Sequence, residues 1–395
     1  MEKHGHGGRS SQLRRARRRR ARETRRRRLG ALGVVAGLAA IAGAITGAGG
    51  DDGAPAPAGT TLPAPCLGSG GEAFRRLAGQ RLVVRTDGTP DGALLRRARR
   101  GEIAGVIVFP GEGLTEERIR AGLRKLQRAA ASGGQPPLVI ATDQEGGPVA
   151  RFPEGPPLRA PLDLGRSGDA ADARLEGQAT GTFLRKLGIN TDLAPVLDVP
   201  ASPDAAISLR AFGRNANDVA RLGLAFASGL GQERVLATAK HFPGLGRSQL
   251  NTDFSPSEID ASRQELREDL RPFRAAIADG IPLVMIANAA YPALGSDGPA
   301  ALSRGVVTGL LRERLGFGGV AISDDLEAGA ISASLDAPEA GEQAAAAGVD
   351  LLLFATTAAP RVHERLARAL ALERLSLESA RESCARVVAL RQGLG

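Results

Sequence analysis

Residues 138–147 read LVIATDQEGG. The run Leu138–Ala141 is apolar without a break, and Thr142 leads straight into Asp143, Gln144 and Glu145. A short continuous apolar run suits a parallel strand covered on both faces. Carboxylates at its C-terminal end, followed by two glycines, suit the edge of a binding site on a tight turn. The same pattern recurs outward along the chain. Comparable strand candidates are 81–85 (RLVVR), 105–109 (GVIVF), 190–194 (NTDLA), 235–239 (VLATA), 282–287 (PLVMIA), 319–323 (GVAIS) and 349–354 (VDLLLF). Helical patterns separate them, at 115–132, 218–230, 263–279 and 304–315. In the third, Leu266, Leu270 and Phe273 form one apolar stripe. Eight strands alternating with helices predict an α/β fold, a TIM-type (β/α)8 barrel in a single domain over 66–395. An open doubly wound sheet is the structural alternative, and the lack of a GxGxxG turn after the first strand counts against it.

The 395 residues are 43% apolar and 24% charged, an ordinary globular balance. Trp is absent and Tyr occurs once, which argues against a wide aromatic platform. The net charge of +9 is uneven: residues 1–28 hold thirteen Lys or Arg against Glu2 and Glu23, a formal +11, so the rest carries −2. Specific nucleic-acid binding by the folded body is therefore not expected. Residues 29–50, LGALGVVAGLAAIAGAITGAGG, are uncharged for 22 positions, long enough to span a bilayer. The basic tail places the N-terminus in the cytoplasm. The segment reads as a signal anchor, or as a signal peptide cleaved near Ala42-Gly43-Ala44, with a glycine-rich buried helix as the plain alternative. An Ala/Pro linker follows at 51–65. The body is expected outside the cytoplasm, held at the membrane or secreted. There Cys66 and Cys384 either pair or remain two free thiols.

In a barrel the site gathers where strands end. Polar residues at those ends are Asp143 and Glu145, Asp198 and then Arg210, Lys240 and His241, Asn288, and Asp324 and Asp325. Charged or amide side chains at five strand ends would converge on one mouth, which suits a polyhydroxylated ligand and glycosidic cleavage by a carboxylate pair. Plainer readings stand beside this one. Asp325 caps a helix or supports a neighbour, Glu145 holds its loop, and Asp198 caps a turn. His363 reads as a surface residue in a late helix, and His4 and His6 lie in the tail. With only His241 near the mouth, no metal site is expected and no cofactor is needed. A Ser-His-Asp hydrolase would lack its GxSxG elbow.

The ordered set DQEGG (143–147), RAFG (210–213), KHFPG (240–244) and SDDL (323–326) resembles the glycoside hydrolases of family 3, β-N-acetylhexosaminidase type, over roughly residues 70–395. The resemblance implies a retaining β-glycosidase with Asp324 as nucleophile. It implies a sugar held by Asp143, Arg210, Lys240 and His241, with a site role for Asp198. Amino-sugar glycosides, such as cell-wall fragments, are the implied carbohydrate partner. The chain departs from the family's Asp-x-His acid/base dyad: in GLGRSQLNTDFSP (244–256), Asn251 stands where the Asp is expected and Asp253 where the His is expected. Either Asp253 replaces the histidine as acid/base, or another residue does, or none does. In the last case the chain is a degenerate carbohydrate-binding barrel.

Overall fold

The eight apolar runs become eight parallel strands: β1 (Leu82–Thr86), β2 (Gly105–Val108), β3 (Val139–Thr142), β4 (Thr191–Asp192), β5 (Leu236–Phe242), β6 (Leu283–Ile286), β7 (Val320–Ser323) and β8 (Leu352–Phe354). These come from a computed structural model, which describes residues 62–394 except Thr357. Each strand from β1 to β6 pairs with the next in chain order, and β8 returns to pair with β1. Only the seam between β7 and β8 is thin, a single bridge from Ile322 to Leu351. The sheet is thus a nearly closed barrel rather than an open doubly wound sheet. A buried carboxylate reinforces the seam: Asp350 accepts from the Ala321 amide at 2.9 Å and from Arg386 Nη2 at 3.0 Å, and also pairs with Arg312.

Strand ends shift from the sequence reading for local reasons. The run 190–194 shrinks to two paired residues, and Pro195, which has no N–H for the ladder, follows it closely. Pairing resumes at the bridge from Val196 to Lys240. The run 235–239 instead grows to Phe242, taking Lys240 and His241 into the strand. The helix expected over 263–279 breaks into Arg263–Asp269 and Arg271–Ala278, because Pro272 cannot donate the backbone bond a continuous helix needs. The first piece opens on a capping box between Ser262 and Glu265. The 115–132 run forms Glu116–Ser132, capped by Thr115. The 304–315 run becomes a wider π-type helix, Gly305–Arg314.

Two apolar cores result. One lies between barrel and helices. The other fills the barrel axis, with Val83, Ile107, Ala141, Leu193, Met285, Ile322 and Leu353 among its members. The C-terminal helix Leu377–Gln392 seals the bottom. Its Val387 enters the axial core, and the fully buried Arg391 donates to the carbonyls of Pro136 (2.7 Å) and Pro137 (2.8 Å) ahead of β3. Cys384 on this helix is disulfide-bonded to Cys66, so the first and last turns of the described body are tied. His363 is not a surface residue: it is 2% exposed and its Nε2 lies 2.7 Å from the Arg75 carbonyl. A helix packed against the barrel over one apolar face buried this ring, and only a polar backbone partner makes that tolerable.

The basic tail, the 29–50 segment, and residues 51–61 of the linker lie outside the described residues, as do His4 and His6. Among the described residues no helix is long and apolar enough to cross a membrane.

The disulfide closes a loop of 318 residues, so its loss frees nearly the whole unfolded chain. The Cys66→Ala/Cys384→Ala double variant is expected to lose roughly 2–5 kcal/mol of unfolding free energy in a denaturant titration. The spread of values reported for such bridges makes a loss below about 1 kcal/mol the result that would contradict a stapling role.

Candidate active site

Strand pleating decides which charges share the mouth. Val83, Ala141 and Ile322 face the barrel axis, with Leu236 packed beside them. Side chains return to the same face every second residue. Arg85, Asp143, Lys240 and Asp324 therefore stand one or two steps above those apolar residues, one from each odd-numbered strand. All four line a cavity of about 300 Å³ at the C-terminal mouth. Its floor is the layer below, Ile107, Leu193, Met285 and Leu353, one from each even-numbered strand. A register shift in the pairing of β5 with β6, between Ala239 and Phe242, lets His241 line the cavity beside its neighbour Lys240.

Glu145 organises the cationic side. It is 2% exposed and takes a two-toothed bond from Arg210, Nε at 2.8 Å and Nη2 at 2.7 Å. Lys240 Nζ lies 2.6 Å from Glu145 and donates to Asp143 at 2.9 Å. Arg151 donates to the other Asp143 oxygen at 3.2 Å. Burial alone would push the Asp143 carboxyl up, but Lys240 and Arg151 hold it down at about 2. Burial likewise works against a charged Glu145, and Arg210 and Lys240 outweigh it, leaving its carboxyl below the ordinary value. Burial works against a charged Lys240, and Asp143 and Glu145 outweigh it, raising its ammonium above the ordinary value. These groups therefore stay charged although water is nearly excluded.

His241 is fixed from behind. Its Nδ1 lies 2.7 Å from Asp198, whose carboxylate also accepts the amides of His241 (3.2 Å) and Leu245 (2.6 Å). Asp198 is fully buried, so it orients the ring rather than meeting a ligand. With Nδ1–H donating to Asp198, Nε2 faces the cavity side, 3.4 Å from Arg210 Nη2.

Asp324 ends β7. One of its oxygens accepts the Asp325 amide at 2.8 Å. Burial raises its carboxyl above the ordinary range; the nearby Asp253 adds to this and His241 opposes it. Asp325 is no helix cap: it accepts the amides of Glu327 (3.0 Å) and Ala355 (3.3 Å), bracing the turns after β7 and β8. Burial, helped by the neighbouring Asp324, pushes it up to about 7. Asn288 donates to the Asp325 carbonyl at 2.7 Å.

Asp253 is exposed and also lines the cavity. Its loop is held by backbone: the Gly329 amide donates to the Asp253 carbonyl at 2.8 Å and the Ala330 amide to Thr252 at 3.0 Å. Asn251 accepts the Asp253 amide at 2.9 Å, so it sets the backbone and not the carboxyl. The approach requires glycine, since a Cβ at Gly329 would sit 2.3 Å from the Phe254 backbone.

All seven residues singled out by sequence thus gather at one mouth, with Asp198 one layer behind. Glu145 holds the two cations rather than its loop. Missed by sequence reading were Arg85, hidden as the last letter of an apolar run, and Asp192, buried on β4. Asp192 accepts the Gln144 amide at 3.0 Å, while its second oxygen has no partner; burial raises it well above the usual range. Among the described residues no cluster of His, Cys, Asp and Glu has metal-holding geometry.

Residues 93–390 match the glycosyl hydrolase family 3 N terminal domain. The chain belongs to glycosyl hydrolase family 3. It is 36% identical over 334 residues to an "Uncharacterized secreted glycosyl hydrolase" of Arthroderma benhamiae, a match spanning 80% of this chain and 93% of that one. It is 33% identical over 279 residues to "Beta-hexosaminidase LpqI" of Mycobacterium tuberculosis, spanning 67% and 71%. A family 3 β-N-acetylglucosaminidase from a Paenibacillus species superposes with a TM-score of 0.78 at 33% identity; the alignment takes in 81% of this chain but only 62% of that one. A β-N-acetylhexosaminidase from Beutenbergia cavernae superposes at 0.73 with 32% identity, over 81% and 98%. By class this family 3 chain is a glycosidase.

The raised carboxyl of Asp325 has a measurable sign. The unfolded chain releases that proton near the ordinary 3.9 and the folded one near 7. Unfolding therefore gains on folding as pH rises between these values. Asp325→Asn is expected to remove a decline of a few kcal/mol in stability from pH 4 to 7, read by denaturation across that range. An unchanged pH dependence in the variant would contradict the assignment.

Proposed function

We propose that this family 3 protein is a retaining exo-β-N-acetylhexosaminidase acting on amino-sugar glycosides outside the cytoplasm. The observation that carries the reading is the meeting of Asp324 with the Asp143, Lys240, Arg210 and His241 cluster in one small cavity. A cavity near the lower end of ligand-pocket volumes suits one terminal sugar. Lys240 and Arg210 offer cationic donors and Asp143 offers acceptors to its hydroxyls.

In this mechanism the Asp324 oxygen not bound by the Asp325 amide attacks the anomeric carbon. The bond to the leaving oxygen breaks as Asp253 gives that oxygen a proton. Asp253, now a carboxylate, then takes a proton from water, whose oxygen displaces Asp324 from the same carbon. Asp253 fits the acid/base role because it is the exposed carboxylate whose charge Asp324 feels across the cavity. Exposure also means that it lacks the pairing a family Asp-His dyad would supply, so its contribution should lie toward the low end of the usual 10²–10⁴-fold. Export through the 29–50 segment agrees with the Cys66–Cys384 bond, since such bonds persist in oxidising compartments.

Aryl β-N-acetylglucosaminide and aryl β-glucoside test this reading side by side. Asp324→Asn is expected to lower turnover by at least roughly 10³-fold while leaving sugar binding measurable. Asp253→Asn is expected to cost about 10²-fold on a poor leaving group and much less on nitrophenol, which leaves without a proton. The acid limb of kcat/KM should lie above the ordinary aspartate value of about 3.9, because burial raises Asp324. A folded wild-type protein that binds the sugar and releases no aryl group would instead favour a sugar-binding barrel.

A further inference from the structure

Four charges form the inward layer at the mouth, and the mechanism employs three of them. Arg85 is the fourth. It is the penultimate residue of β1, in register with Ile107 of β2, and both line the cavity. Asp143 is shared by Lys240 and Arg151, and Glu145 by Lys240 and Arg210. Among the described residues Arg85 has no such carboxylate. Its guanidinium instead lies 4.6 Å from the centroid of the Phe109 ring, and Arg151 lies 4.3 Å from the same centroid. Phe109 lines the cavity too, so the ring holds two guanidinium groups against one wall of the pocket.

A surface arginine without a partner needs no explanation. This one differs in position. Although exposed, it is in the same strand-end layer as Asp324, Asp143 and Lys240, and its guanidinium is held over an aromatic face. A guanidinium presents paired donors that match a planar or tetrahedral oxyanion better than a hydroxyl. The acids across the cavity do not consume it. Asp324 and Asp325 are both raised by burial, the opposite of what a strong cationic partner would do.

We propose that Arg85, which shares the Phe109 ring with Arg151, forms an oxyanion subsite of the sugar pocket, and that the favoured terminal sugar carries a carboxylate, sulfate or phosphate group. The proposal rests on the sugar-pocket reading above and narrows its substrate class. A neutral hexosaminide would leave the Arg85 donors to water, whereas an acidic one would pair them in a site where Lys240 and Arg210 are already neutralised.

Monosaccharides test this without a glycosidic bond, so binding is read whether or not the chain turns over a glycoside. Calorimetric titration would compare N-acetylglucosamine with its 6-sulfate and with N-acetylmuramic acid, whose carboxylate hangs from the 3-position. Wild type is expected to bind one of the two acids about tenfold more tightly than the neutral sugar, as a charge-assisted pair would give. Whichever acid gains shows the side of the ring that faces Arg85. In Arg85→Gln that ratio should fall to near one, and Arg85→Lys should keep part of it. Equal binding of all three sugars by wild type, binding of none, or a ratio that survives Arg85→Gln would each overturn the subsite. Aryl release by wild type, lost in Asp324→Asn, would still stand as evidence for the glycosidase reading in those cases.

Discussion

A lysine ammonium with 2% of its side chain exposed is sustainable only if carboxylates surround it, and the arrangement of the mouth follows from that demand. Lys240 has two, Asp143 and Glu145. Glu145 is in turn over-supplied with negative charge unless Arg210 shares it, and Arg210 closes the chain by reaching His241. Removing any one member strands a buried charge elsewhere. The network is thus a single electrostatic object built from β3, β5 and the loop after β4. Its pre-organisation means that a ligand's hydroxyls meet donors already desolvated and already aimed.

Much of this was legible in the sequence because barrels translate chain order into geometry. Eight apolar runs could be counted, and polar letters after them, such as Asp143, Lys240, His241 and Asp324, had to converge once the strands closed into a ring. Arg85 was not legible by the same rule. Its guanidinium follows three apolar letters and reads as the end of a buried run, and only knowing which residues of β1 face the axis moves it to the mouth. Glu145 was misjudged because spacing reveals that a carboxylate is near a strand end but not whether its partners are amides or guanidinium groups. The helix over 263–279 kept its apolar stripe through the break, since Leu266 and Phe273 are both buried although Pro272 splits the backbone. His363 carried no signal at all: a histidine satisfied by one carbonyl looks like any polar residue on a helix.

The two ends of the barrel divide stability from chemistry. At the bottom, Arg391 and Gln80 meet backbone carbonyls or each other, Arg81 and Asp350 brace the seam region, and the disulfide pins the sealing helix. Burial drives Arg81 and Arg391 down to about 10, still charged at any ordinary pH, so these groups titrate nothing. At the mouth the opposite holds. Asp324, Asp325 and Asp192 are all raised, and Asp192 has an oxygen with no partner. Uncompensated carboxyls are destabilising, and their concentration at the end that lines a cavity is the signature of a site whose demands conflict with stability.

That conflict bears on the loop that lacks the family's histidine. A histidine at position 253 would place no negative charge opposite Asp324 from this loop. An aspartate there instead adds a negative charge opposite Asp324, which adds to the effect of burial in raising that carboxyl. Under the proposed mechanism the cost falls on attack, which needs an ionised Asp324. Close backbone packing keeps the two in range: Gly329 lets the loop backbone come within contact of the turn after β7, where Asp253 can share the field of Asp324. Under the proposed mechanism the altered loop leaves proton transfer to an exposed Asp253 and places that side chain's charge where it works against ionising Asp324.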